Sequence, residues 1–65
     1  MTTKELLKIA KKIAKYEMGI AQATSQDERD RCLEKIEELT SKVTNLNDLL
    51  TIDIYVQEIL DEIWF

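Results

Sequence analysis

Residues 2–21 read TTKELLKIAKKIAKYEMGIA, and the spacing of their apolar members decides the fold class. Leu6, Ile9, Ile13, Tyr16, Ile20 and Ala23 recur alternately three and four residues apart, which holds one stripe along one side of an α-helix. Lys4, Lys8, Lys11, Lys12 and Lys15 fall on the opposite side. Thr2 followed by Glu5 is a capping-box signature, so the helix starts here. Two residues disturb the scheme. Glu17 lies within the apolar arc, and Gly19 lies on the polar face at a cost of up to about 1 kcal/mol in helix propensity.

The same period recurs twice downstream, in Cys32, Ile36, Leu39, Val43 and Leu46 and then in Leu49, Ile52, Val56, Ile59 and Ile63. Ser25 with Glu28 is a second capping box, so the first connection is short and the first two helices fold back as an antiparallel hairpin. Between Leu46 and Leu49 the alternation breaks beside Asn45, Asn47 and Asp48. The chain is therefore expected to turn at residues 45–47, with Asn47 opening the third helix. The competing arrangement is one overwound helix over residues 27–65. The expected architecture is a single all-α domain over 1–65, a three-helix bundle with helices at about 3–24, 26–45 and 47–65. It consists of a helical hairpin plus a third, strongly apolar helix.

That third helix carries apolar residues over more than half of its circumference, where a surface helix needs only about 100°. The excess calls for another partner. A chain of 65 residues buries only about 60% of the surface its unfolded form exposes, and one cysteine with no histidine leaves neither a disulfide nor a ready metal site to compensate. A homodimer is the expected remedy, with Leu50, Ile54, Tyr55, Leu60, Trp64 and Phe65 as its interface.

Charge is unevenly spread. Residues 1–24 hold five lysines against two carboxylates, a net +3, and residues 25–65 hold four cations against eleven carboxylates, a net −7, which together give the chain its −4. Such halves can pair with each other or with a second copy. The lysine face of Lys4, Lys8, Lys11, Lys12 and Lys15 is a candidate anion-binding surface. It has no arginine and no interleaved aromatic, so nucleic acid is disfavoured as its partner and a solvated or internally paired face is preferred. The acids from Asp27 to Glu38, with Asp61 and Glu62, suit solubility better than mimicry of a nucleic-acid backbone.

Glu17 needs a cation or an interface edge, and Arg29 and Arg31 are its expected partners in a buried ion pair; Asp53 poses the same question. Cys32, on an apolar stripe, reads as a small hydrophobe, and its solitude fits a reducing, cytoplasmic compartment. No apolar run approaches the roughly 20 residues of a membrane span, so a membrane partner is disfavoured too. No catalytic, metal-binding or nucleotide-binding motif is present, and no cofactor or enzymatic activity is expected. The expected function is that of a small adaptor or regulator acting by binding another protein. The rival is a nucleic-acid-associated regulator that uses the lysine face, or an acidic nucleic-acid mimic that inhibits a DNA-binding protein.

Overall fold

A computed structural model of the chain describes residues 1–64, with Trp64 as backbone only. It consists of α1 (Thr3–Gln22), α2 (Gln26–Ser41) and α3 (Leu46–Trp64), with no strand among the described residues. Each boundary has a local cause. At the start of α1 the Thr2 hydroxyl accepts from the Glu5 amide at 3.2 Å, and the Glu5 carboxylate accepts from the Thr2 amide at 3.3 Å. Both halves of the capping box are therefore formed. The bond from the Thr2 amide and a second one, which the Thr2 hydroxyl donates to the same Glu5 oxygen at 3.0 Å, hold the Glu5 carboxyl below its ordinary value.

Ser25 caps α2 by accepting from the Glu28 amide, but the Glu28 carboxylate returns to the amide of Thr24, one residue outside the expected box. Helix α2 stops at Ser41, four residues before its expected end. The Thr40 and Ser41 hydroxyls donate back to the carbonyls of Glu37 and Glu38, and the Val43 amide donates to the Thr40 carbonyl, a tight closing turn. The next cap is Asn45 rather than Asn47. Its Oδ1 accepts from the amides of Asn47 and Asp48, and its carbonyl accepts from Leu49, so α3 begins at Leu46. The single long helix over 27–65 is thereby excluded, and Leu46 moves from the end of the second helix to the start of the third.

Helix α1 is the hub of the packing, with α2 on one flank and α3 on the other, while α2 and α3 scarcely meet. The buried core is Leu6, Ala10, Ile13 and Ala14 of α1, Val43 of the connection, and Ile52, Val56 and Leu60 of α3. Helix α2 contributes no fully buried residue and leans on the core through Ile36 and Leu39. The Cα envelope measures 35 × 28 × 15 Å, a flattened shape. Its radius of gyration is 11.9 Å, against about 10.7 Å for a compact domain of this length.

Gly19 owes its place to packing. A Cβ built there would stand 3.1 Å from the Cys32 Sγ, so the missing side chain lets α1 and α2 close on each other at this level. The cysteine is half-buried in that contact and free of disulfide.

Candidate functional site

The clearest surface feature is the side of α3 that faces away from α1. Leu46, Leu50 and Ile54 follow one another at four-residue intervals and are 70%, 56% and 57% exposed. On the opposite side Ile52, Val56 and Leu60 are 2%, 2% and 6% exposed. One helix thus carries two apolar faces, of which the chain covers one. Beyond Ile54 the outer arc turns polar, through Gln57, Glu58 and Asp61.

This arrangement sorts the expected interface residues. Leu50 and Ile54 stand together in the open stripe. Tyr55 is half-buried against the core, and Leu60 is a core residue. Leu60 is therefore removed from the interface, because it lies one turn beyond Val56 on the side that packs on α1. The Trp64 side chain and Phe65 lie outside the described residues. Leu46 belongs to the stripe but was assigned to the preceding helix by periodicity alone; the Asn45 cap is the signal that places it.

A second feature is a groove of about 170 Å³ where α2 and α3 diverge over α1. Ile13, Ile36, Leu49, Ile52 and Val56 make it apolar, and Glu17 and Asp53 both line it. The two carboxylates that the apolar stripes could not accommodate thus meet at one place. Glu17 is half-buried and Asp53 exposed. The expected ion pair of Glu17 with Arg29 or Arg31 does not form: both arginines are exposed on α2, and the ion pairs among the described residues are Lys35 with Glu38 and the Met1 ammonium with Asp48. Glu17 meets its desolvation problem by opening onto the groove.

All five lysines of α1 are exposed, but they do not act as one face. The hairpin groups Lys12 and Lys15 with Lys35 of α2 and Lys42, the residue that caps its end, around a concavity of about 270 Å³. Lys8 lies in an adjoining depression with Lys12, Lys42 and Glu5, and Lys4 and Lys11 line neither. Sequence reasoning missed Lys35 and Lys42. Lys35 lies on α2 and Lys42 follows its last residue with αR backbone, seven residues on, so the two share a side, but the rotation of α2 against α1 is set by packing.

Among the described residues no group of three His, Cys, Asp or Glu side chains is placed to hold a metal ion, and no helix is long and apolar enough to cross a membrane. Compared with known proteins, the chain matches no family model, no curated protein and no solved structure.

Proposed function

We propose that this chain is a small helical protein–protein interaction module, an adaptor or regulator, that works as a homodimer through the outer face of α3. The observation that carries the proposal is the continuous stripe of Leu46, Leu50 and Ile54, more than half exposed on a chain this short. Area supports it. The chain exposes 4961 Å², whereas a compact monomer of 7.6 kDa exposes about 4,300 Å². The excess of about 700 Å² is close to the roughly 800 Å² that each partner contributes to a stable interface.

The charge pattern selects the orientation. A parallel pairing of two α3 helices would set Glu58 and Asp61 beside the same acids of the other copy, where like charges repel. An antiparallel pairing about a twofold axis at Leu50 brings Leu46 against Ile54 of the second copy and Leu50 against its equivalent. It also carries the acids past the other copy's α3 N-terminus, the positive end of the helix dipole.

Sedimentation equilibrium at micromolar concentration tests the dimer, with an expected mass near twice 7.6 kDa. Leu50→Lys should give a folded helical monomer; a wild-type monomer across the whole concentration range overturns the reading. Orientation is tested in a Cys32→Ser background. Leu50→Cys should cross-link to itself, whereas Leu46→Cys should not, because the antiparallel register holds its two copies about 12 Å apart along the axis, beyond the roughly 7 Å that a disulfide spans. Efficient Leu46→Cys cross-linking would establish the parallel dimer instead.

A further inference from the structure

The concavity between α1 and α2 stands apart from the proposed dimer face. Four lysines line it, Lys12, Lys15, Lys35 and Lys42, with Glu38 as the single acidic residue. Glu38 is engaged by Lys35 at 3.7 Å, an exposed pair one helical turn apart. The local charge is thus +3 in a chain whose net charge is −4. Thirteen carboxylates were available to neutralise these lysines, and the fold places one there. The lysines come from both sides of the seam, Lys12 and Lys15 from α1, Lys35 from α2 and Lys42 from its C-cap, so their mutual repulsion acts across the hairpin. A multivalent anion lying in the seam would remove that repulsion.

We propose that this concavity is a binding site for a small multivalent anion of the di- or triphosphate class. Its volume of about 270 Å³ suits a short phosphate chain. Lysine ammoniums meet phosphate oxygens as mobile point charges, without the planar geometry that arginine imposes. Tyr16 and Leu39 also line the concavity, giving a hydroxyl and an apolar patch beside the cations. No arginine, asparagine or glutamine lines it, so charge is read there and base edges are not. Lys8, in the adjoining depression, extends the field toward the N-terminus of α1, where Glu5 partly offsets it. The site rests on the α1–α2 hairpin and is independent of self-association.

The test is a titration of the full chain followed by backbone amide shifts at about 20 mM salt, where screening is weak. Inorganic tripolyphosphate and a nucleoside triphosphate are added in separate arms. Saturable shifts confined to residues 8–16 and 35–42 are expected. Equal binding of both compounds assigns recognition to the phosphate chain, and tighter binding of the nucleoside triphosphate adds a share from Tyr16 and Leu39; either supports the site, whereas binding of the nucleoside triphosphate alone overturns it. The pair Lys12→Gln and Lys42→Gln should weaken binding by about tenfold or more. The pair Lys4→Gln and Lys11→Gln removes the same charge outside the concavity and should leave binding unchanged. Absence of shifts, equal weakening by both pairs, or tighter binding of duplex DNA than of tripolyphosphate would overturn the assignment.

Discussion

Ile52 and Leu50 stand two residues apart on the same helix, are matched in size, and have opposite fates. Ile52 is buried against α1, whereas Leu50 is more than half exposed. The difference lies in the neighbour. Helix α1 presents Ala10 and Ala14 among its buried residues, small side chains that allow close helix approach, and everything that faces it is consumed by the core. What faces away from α1 stays charged or bare: the acidic side of α2 and the outer stripe of α3. Chemical type alone does not decide which apolar residue is core. Position relative to the central helix does.

The largest expected effect comes from striking the two sides of α3 separately. Ile52→Ala removes a buried core side chain and should cost about 2–5 kcal/mol. A domain this small rarely holds more than roughly 3–5 kcal/mol in its core, so the variant should be substantially unfolded by circular dichroism at 25 °C. Leu50→Ala should leave the urea midpoint at low protein concentration within error of wild type while weakening its rise with concentration. Equal destabilisation by both substitutions, independent of concentration, would abolish the distinction between the faces.

Glu17 sharpens the comparison, because it belongs to the central helix but sits where neither neighbour covers it. With no cation beside it, Glu17→Ala should change stability little, in contrast to the roughly 3–5 kcal/mol lost when a member of a buried ion pair is removed. Glu17→Leu extends the apolar lining formed by Ile13, Ile36 and Val56 and should raise stability by about 1 kcal/mol. A melting temperature lowered by several degrees in Glu17→Ala would reveal a cation partner in solution.

Much of the fold was legible in the sequence because it is local. Thr2 and Glu5 announce α1 within one helical turn, and the three- and four-residue spacing marks three helices without knowledge of their packing. The second boundary was misplaced by a few residues for the converse reason. Val43 and Leu46 continue the stripe of α2 in sequence, but Val43 serves the core from the connection and Leu46 opens α3. Periodicity does not distinguish a residue buried by a helix from one buried by the turn after it. The grouping of Lys12 and Lys15 with Lys35 and Lys42, and the meeting of Glu17 with Asp53, depend on how helices rotate about their axes. No single-helix pattern encodes that rotation.

Gly19 probes how closely α2 is drawn onto the central helix. Gly19→Ala gains helix propensity worth up to about 1 kcal/mol but pushes a methyl group to within 3.1 Å of the Cys32 Sγ. The two effects should nearly cancel in the single variant. In a Cys32→Ala background the steric opposition is gone, and Gly19→Ala should then stabilise by several tenths of a kcal/mol or more. Additive effects in this double-mutant cycle would show that α1 and α2 are less tightly apposed than the structure places them.

The smallest effect lies at the end of the central helix, away from both flanks. Because the folded protein lowers the Glu5 carboxyl below its ordinary value of 4.5, the capping box stabilises the first turn of α1 fully above that value. The contribution is lost as pH falls through the lowered folded value, since protonation removes the acceptor for the Thr2 amide. The protection factors of the Glu5 and Leu6 amides, taken relative to the intrinsic exchange rate at each pH, should therefore fall over that acidic window while the core amides near Val56 hold their protection. Glu5→Ala should erase the pH step, whereas Thr2→Ala should only shrink it, because alanine keeps the backbone amide that donates to the Glu5 carboxylate; the double variant should add nothing beyond Glu5→Ala. A step that persists in Glu5→Ala would overturn the assignment of the pH dependence to the capping box.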